Sequence, residues 1–383
     1  MPKENKKIKL AIVMPNHANI YSSLQNSLKA YQTLMDNYDV EITILTDSKN
    51  ELKYGSFKVE KIEGYDYGTI LGKILFLLGI PRFYYKNLDE KLQKYDVISA
   101  NNPEFYAYAY QAFKVAEKHN KRFLLKTSQT KEGFFLYHLT KYIVNPIVRK
   151  AYDYASFCIF TNPQAEVRAL RLGLLKDKSK SIILGHPTDV EAFKPRDAKK
   201  HENTILLSVG GLYKIKGHHL IMQAMKKIIE RSNKSIELWI VGEGYYRKNL
   251  ESLAKELGIE SKVRLLGALG HDDLAQKYNE SDIFVLANYQ EVTPAVNEAL
   301  ASQKPVVVME CGGREFVIPN QEHGLVCKKF DTDDMAKKIE MLIDDKQLAE
   351  KIARTGRKRI LQEFSIEKVA KKHYHCLTAT KKQ

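Results

Sequence analysis

A loop rich in glycine and lysine follows an apolar run at residues 204–209. Gly210 and Gly211 permit a close approach between backbone and ligand, and Lys214 and Lys216 can meet phosphate oxygens. The spacing matches neither a Walker A loop nor a dinucleotide-binding fingerprint. Taken alone, the loop predicts either a phosphate-binding segment or an ordinary strand-to-helix turn.

A helix start is expected shortly after the apolar run 283–287. Thr293 suits an N-cap and Pro294 suits the first helical position. The backbone N–H groups of Ala295 and Val296 then lack partners within the first turn. Such donors, together with the positive end of the helix dipole, favour the binding of a diphosphate.

One helical turn later, Glu298 offers a carboxylate that can accept hydrogen bonds from ribose hydroxyls. A lone glutamate on a helix is more often a solvated surface residue. The apolar residues Ala299, Leu300 and Ala301 follow it directly, which favours burial and the ligand-binding role.

The chain is strongly basic, with 61 Lys and Arg against 46 Asp and Glu and a formal net charge of +15 at pH 7. Such an excess attracts nucleic acid, anionic lipid or phosphorylated substrates. The basic residues are spread along the chain, and no zinc-finger, RNA-recognition or helix-turn-helix signature occurs. We therefore expect contact with an anionic membrane surface and no nucleic-acid partner.

Cysteine spacing and the lengths of the apolar runs indicate the cellular setting. The cysteines lie far apart and have no His at zinc-ligand spacing, so reduced thiols and no metal site are expected. No apolar run approaches the roughly 20 residues of a membrane span. Residues 10–14 form a run too short for a signal peptide. The sequence predicts a cytoplasmic protein that can attach peripherally to the inner face of the membrane.

Short apolar runs alternate with amphipathic helical stretches over 383 residues, which is long enough for two domains. Non-alternating apolar strands are typical of parallel sheets covered on both faces. We expect α/β architecture with two doubly wound, Rossmann-like domains facing a central cleft. Strands are predicted at residues 9–14, 40–46, 95–100, 122–127, 157–160, 204–209, 236–241, 263–266, 283–287 and 306–309.

The proline-containing stretch after Gly185 interrupts this alternation. It divides the chain into an N-terminal domain at 1–185, a linker at 186–203 and a C-terminal domain at 204–360. A last helix at 361–383 is expected to pack back toward the N-terminal domain.

Several short segments occur in a characteristic order at 208–217, 238–244, 263–267, 281–287, 298–301, 311–315 and 323–326. Together they resemble the family 4 retaining glycosyltransferases, whose two-domain fold is called GT-B. The resemblance is strong from residue 204 to about residue 344 and looser elsewhere. It implies a nucleoside-diphosphate sugar as donor, retention at the anomeric carbon, and no metal or other cofactor. It also implies that Lys216 and the backbone of 293–296 bind the diphosphate, and that Glu298 binds the ribose.

The first carboxylate of the family pattern is displaced in this sequence. Counting back eight positions from Glu298 gives Gln290, and Glu291 lies one residue away. We expect Glu291 to act near the donor sugar, because its charge can stabilise positive charge that develops at the anomeric carbon. Gln290 is the neutral alternative.

Two further departures concern the sugar and its diphosphate. Gly211 stands where the family often has an arginine, so Arg314 or Lys214 is expected to replace that cation. The strand at 122–127 leads into Ser128-Gln-Thr130 and lacks the histidine by which many members contact the donor sugar.

The acceptor is expected at the N-terminal domain, where the loop at 15–19 follows the first strand. His17 is a candidate to assist the acceptor hydroxyl or to touch a phosphate, with Asn16 and Asn19 beside it. Two basic stretches with bulky apolar residues, 71–86 and 134–150, suit either a membrane interface or a core-facing helix with a solvated rim.

The sequence therefore predicts a glycosyltransferase that transfers a sugar to a glycan or lipid-linked acceptor in cell-envelope polysaccharide or glycolipid synthesis. Two alternatives remain open. One is a catalytically silent subunit of the same fold that binds a partner or glycan. The other is a nucleotide-sugar epimerase, which would need no acceptor.

Overall fold

The computed structural model describes residues 7–14, 22–46, 56–65, 84–102, 107–128, 137–198, 201–232, 234–290 and 292–379. The chain divides into two compact units. The first comprises Met1–Pro187 with Ile366–Gln383, and the second comprises Thr188–Ser365. Each contains one large sheet in which every neighbouring pair of strands is parallel. The expected α/β architecture of two Rossmann-like domains is therefore confirmed.

The first unit contains nine strands among its described residues: β1 (Ile8–Val13), β2 (Val40–Thr46), β3 (Lys58–Lys61), β4 (Gly64–Tyr65), β5 (Tyr84–Tyr85), β6 (Val97–Asn101), β7 (Arg122–Thr127), β8 (Phe157–Phe160) and β9 (Ser181–Ile183). Its helices there are α1 (Ser22–Asn37), α2 (Leu88–Leu92), α3 (Ala107–Lys118), α4 (Tyr137–Tyr154), α5 (Pro163–Arg171) and, from the end of the chain, α13 (Ile366–Thr378). The main sheet has the order β3-β2-β1-β6-β7-β8-β9, and β4 pairs with β5.

Both faces of this sheet are buried, as the apolar strands predict. One face packs against Leu28 and Tyr31 of α1 and against Val369 and Ala370 of α13. The other face packs against α3, α4 and α5. The last helix therefore completes the core of the first unit.

The second unit contains the strands β10 (Thr204–Val209), β11 (Ile236–Val241), β12 (Val263–Gly267), β13 (Ile283–Leu286), β14 (Val306–Met309) and β15 (Leu325–Cys327). Its helices are α6 (His218–Arg231), α7 (Arg247–Glu256), α8 (His271–Glu280), α9 (Pro294–Ala301), α10 (Arg314–Val317), α11 (Thr332–Asp344) and α12 (Lys346–Glu363). The sheet has the order β12-β11-β10-β13-β14-β15. The strand order reverses between β10 and β13, and ligands of open α/β sheets bind at such a switch point.

The structure differs from the expected linker at 186–203. The boundary falls between Pro187 and Thr188. Phe193 is fully buried in the core of the second unit, and Thr188 forms an isolated bridge with Ser365. The segment packs on this unit because burial of the aromatic ring outweighs the flexibility that its prolines and polar residues suggest.

Five short strands were not predicted from the sequence: β3, β4, β5, β9 and β15. None exceeds four residues, so each lacks the apolar run that marks a central strand. β3 and β9 lie at the two edges of the first sheet, where charged and polar residues are common.

Candidate functional site

Two loops meet at the switch point of the second sheet, where β10 and β13 are neighbours. The N–H of Tyr289 donates to the Ile215 carbonyl at 3.4 Å and ties the loops together. Gly217 has φ +72°, and a Cβ placed there would lie 2.1 Å from the carbonyl oxygen of Ala287. Only glycine permits both this dihedral angle and this contact.

Two further loops join the same edge of the sheet. After β14, the N–H of Gly312 donates to the Gln290 carbonyl at 3.2 Å, and the N–H of Val292 donates to the Gly312 carbonyl at 3.4 Å. After β11, Gly242 has φ +144°, and a Cβ there would lie 2.0 Å from the Gly210 carbonyl oxygen. Backbone contacts thus hold four strand-end loops as one surface.

In the first loop, which follows β10, the path of the Lys216 side chain is the feature that a generic turn would lack. Its side-chain Cδ passes 3.8 Å from where a Cβ of Gly210 would stand, and the side chain is partly buried. Lys214 is exposed. A Cβ on Gly211 would lie 2.6 Å from Cε2 of Tyr213, so the tyrosine ring occupies the place of any side chain at position 211. Of the predicted cations, Lys216 is the one beside the glycines.

His218 was not predicted as a site residue. It begins α6, is only 1% exposed, and its Nδ1 lies 3.1 Å from Oγ of Ser208 on β10. Burial lowers the pKa of His218 to about 4, which outweighs the raising effect of backbone hydrogen bonds with Gly210 and Gly211. The neutral ring therefore fixes the strand, loop and helix relative to each other. The sequence signal that could have identified His218 is its position directly after Gly217.

The start of α9 follows the prediction in part. Thr293 is the N-cap and Pro294 the first helical residue, but the Thr293 side chain makes no capping hydrogen bond. Within the described residues, its Oγ1 is buried without a partner. The N–H of Val296 donates to the Thr293 carbonyl at 3.1 Å, so the expectation that this donor is unused is wrong. The first turn tightens and satisfies it locally. That the Ala295 N–H is available to a ligand stays a prediction.

Glu298 is buried on α9, with 1% exposure, instead of lying on a solvated face. The Tyr278 hydroxyl on α8 lies 3.0 Å from Oε2 of Glu298 and 3.0 Å from the Ala295 carbonyl oxygen. Burial, with the nearby Glu298, raises the pKa of Tyr278 well above 10. The phenol therefore stays protonated and donates its hydrogen to these two acceptors. Sequence spacing gave no sign of this partner, which belongs to another helix.

Arg314, expected with Lys214 as a replacement for the missing cation of the first loop, forms an ion pair of its own, and its role at the diphosphate stays a prediction. Its Nε donates to Glu310 at 3.1 Å and its Nη1 donates to the Ile318 carbonyl at 3.2 Å. The carboxylate precedes α10 and lies within reach of this arginine. The ion pair links the loop after β14 to the short helix that follows it.

Several predicted residues lie outside the described part of the chain: Glu291, His17, Asn16 and Asn19. Gln290 is described and exposed. Most of the stretch 71–86 and the beginning of the stretch 134–150 are also outside. Among the helices that are described, none combines the length and apolar character needed to cross a bilayer.

Comparisons with known proteins identify what the chain is similar to in sequence and in fold. Residues 189–359 match the family described as glycosyl transferases group 1. The chain is 28% identical over 214 residues to an uncharacterised glycosyltransferase of Methanocaldococcus jannaschii, covering 56% of this chain and 54% of that protein. It is 27% identical over 176 residues to the lipopolysaccharide core biosynthesis glycosyltransferase LpsE of Rhizobium meliloti, covering 46% and 50%. The chain thus spans about half the length of these relatives.

A solved structure extends the similarity to both units. The crystal structure of Anabaena HepE in complex with UDP superposes with a TM-score of 0.74 at 14% identity, covering 97% of this chain and 100% of that one. At such low identity the likeness shows the fold, which is the two-domain GT-B fold.

Proposed function

We propose that the protein transfers a sugar from a nucleoside-diphosphate donor to an acceptor hydroxyl, because residues 189–359 match the glycosyl transferases group 1 family. The observation that carries the proposal is the surface formed by four strand-end loops at the switch point. There Lys216 passes beside Gly210, and α9 begins with Pro294 on the neighbouring strand-end loop. A cation and a helix N-terminus are the groups that bind a diphosphate.

In the proposed reaction, the bond between the anomeric carbon and the diphosphate oxygen breaks. The acceptor oxygen bonds to that carbon on the same face and its proton passes to an oxygen of the departing diphosphate, so configuration is retained. Lys216 and the start of α9 stabilise the negative charge on the leaving diphosphate. A carboxylate at Glu291 would stabilise positive charge at the anomeric carbon, with Gln290 as the neutral alternative.

We assign the ribose to Glu298. A carboxylate has about four acceptor positions, so it can hold the Tyr278 hydroxyl and a ribose hydroxyl together. In this assignment Tyr278 is a positioning residue, since it orients the carboxylate through a 3.0 Å contact.

The acceptor is proposed to be a glycan or lipid-linked sugar of the cell envelope. The name of LpsE places that relative in lipopolysaccharide core synthesis, and HepE was solved with UDP. The net charge of +15 suits an anionic membrane surface as the place where such an acceptor is met.

A donor panel tests the proposal. The purified full chain is incubated with UDP-, GDP- and ADP-sugars, and nucleoside diphosphate release is recorded with and without a membrane extract. We expect release from one donor, increased by the extract and reduced by Lys216→Met. No release from folded protein would favour a silent subunit. A new nucleotide sugar formed without extract would favour an epimerase.

A further inference from the structure

A lysine interrupts an apolar face in the first unit. Lys126 lies two residues after Leu124 on β7, so the two side chains share one face of the sheet. Leu124 belongs to the apolar cluster beneath α1 and α13. Lys126 is partly buried, and its ammonium lies 5.7 Å from the centre of the Tyr31 ring. Among the described residues, Lys126 forms no ion pair.

A buried histidine lies beside the same tyrosine. His373 of α13 is 5% exposed, and its ring packs edge-on to Tyr31 with 5.5 Å between centres. In the part of the chain that the structure describes, neither of its ring nitrogens has a hydrogen-bond partner. Burial, followed by the charge of Lys126, lowers the pKa of His373 to about 3. The neutral ring carries one N–H donor, and leaving a buried donor unsatisfied is unfavourable.

Lys126 and His373 line one cavity. Hydroxyl-bearing Ser27 and Thr161 line it as well, and Gly185 and Pro187 form part of its wall. The cavity lies at the carboxyl ends of β7 and β8, the edge at which parallel sheets bind ligands. Its interior volume of about 20 Å³ accommodates about one water molecule. It therefore suits a single oxygen of a ligand group and is too small for a sugar ring.

We propose that this cavity is an anion site that takes one oxygen of a phosphate-class group, with the rest of the group at the partly exposed Lys126. Lys126 supplies the charge, and His373 supplies an N–H donor, because neither ring nitrogen of this histidine has a hydrogen-bond partner within the described structure. Hydrogen bonds between ammonium and phosphate are among the strongest in proteins. The group is either free phosphate or the phosphate of an ester. The site belongs to the first unit, whereas the donor surface belongs to the second.

The test is titration of the full chain with inorganic phosphate. Calorimetry measures the affinity, and the change in melting temperature gives a second readout of binding. Wild type should bind phosphate and melt at a higher temperature in its presence. Lys126→Met should lower phosphate affinity at least about tenfold. The variant should melt no lower than wild type in phosphate-free buffer, because it removes a partly buried charge that has no ion pair among the described residues. His373→Gln, which keeps an N–H donor, should reduce affinity less than His373→Phe.

Lys216→Met is the matched control, because it removes a lysine from the donor surface of the second unit. Phosphate binding that persists in Lys216→Met and is weakened in Lys126→Met supports the cavity. Equal phosphate affinity in wild type and Lys126→Met would overturn it, as would loss of all phosphate binding in Lys216→Met. Glycerol phosphate as a second ligand separates the sources. Competition with phosphate identifies an ester, and its failure to compete identifies free phosphate. The assay measures binding alone, so its result does not depend on transferase activity.

Discussion

Glu298 and Tyr278 form a buried pair in which a phenol from α8 holds a carboxylate on α9 at 3.0 Å. The phenol lies at the same distance from the Ala295 carbonyl oxygen, so a single hydroxyl joins a side chain to the first turn of the helix. Positioning of the proposed ribose ligand and stability of the second unit therefore depend on the same contact.

Removing the phenol hydroxyl separates these two roles. Tyr278→Phe should lower the free energy of unfolding by about 1–3 kcal/mol, because a buried acceptor loses its donor. Glu298→Gln keeps the shape of the side chain and should weaken donor binding more than Tyr278→Phe does. Denaturation in urea and calorimetry with the donor measure the two effects. Unchanged donor affinity in Glu298→Gln would leave Glu298 with a structural role only.

His218 should make the protein sensitive to acid. Its pKa is about 4 in the folded state, below the ordinary value of 6.5, so the unfolded chain binds its proton first as the pH falls. Stability is therefore lost between about pH 6.5 and pH 4, by about 3 kcal/mol for this residue. The pH dependence of unfolding in urea should be flatter for His218→Gln than for wild type over this window. Parallel curves for the two proteins would contradict the lowered pKa of His218 in the folded state.

The residues that the sequence predicts well are those whose chemistry is local. Pro294 begins α9 as expected, and Lys216 lies beside Gly210. Tyr278 and the Arg314–Glu310 pair were not predicted, because which side chains meet depends on how separate elements pack. Loop spacing gave no information on these tertiary partners.

At the scale of elements, glycines decide how closely the loops approach one another. Gly217 ends the short turn that carries Lys214 and Lys216 and is the N-cap of α6. Its neighbour across the switch point is the Ala287 backbone. A side chain at this position would push apart the two loops that form the proposed diphosphate site.

Gly217→Ala should therefore lower the free energy of unfolding more than Gly→Ala at another glycine with a left-handed backbone. Gly258 is the matched control, since it has φ +64° and no atom within 4 Å of an added Cβ. Gly258→Ala should cost about 1–2 kcal/mol of stability for the left-handed backbone alone. Gly217→Ala should cost about 1–3 kcal/mol more through overlap with the Ala287 carbonyl. Equal losses in urea denaturation would show that the loops tolerate separation.

The central strands could be predicted from the sequence because their apolar runs are continuous. β2, β7, β8, β10, β11 and β14 begin and end at the predicted residues. The short strands and the true domain boundary could not be predicted in this way. Their position is set by packing, as with Phe193 in the second core, and a proline-containing segment gives no local signal of such burial.

On the scale of the whole molecule, the two units share one principle of construction. Each large sheet runs outward from its first strand in one direction and then in the other. Alternating strands and helices suffice to predict this architecture. The second unit is continuous in sequence, whereas the first is completed only when α13 returns to it.

Truncation tests the dependence of the first unit on its last helix. Ending the chain at Ser365 should destabilise the first unit, because it removes Val369, Ala370 and Leu377 from an apolar cluster and exposes the residues that they cover. Limited proteolysis should then cut within residues 1–187 well before it cuts the second unit. A chain that ends at Ala379 is the control and should resist like wild type. Equal resistance of both truncated chains would contradict this role of α13.

Binding of a nucleoside diphosphate to the switch-point surface is the most direct test of the proposed function. Calorimetry with UDP, GDP and ADP would compare wild type, Lys216→Met and the control Lys255→Met, which changes an exposed lysine near the end of α7. We predict that one of the three binds wild type and Lys255→Met equally, and binds Lys216→Met at least about tenfold more weakly. Equal affinity in all three proteins, or no binding to folded wild type, would contradict the proposed donor site.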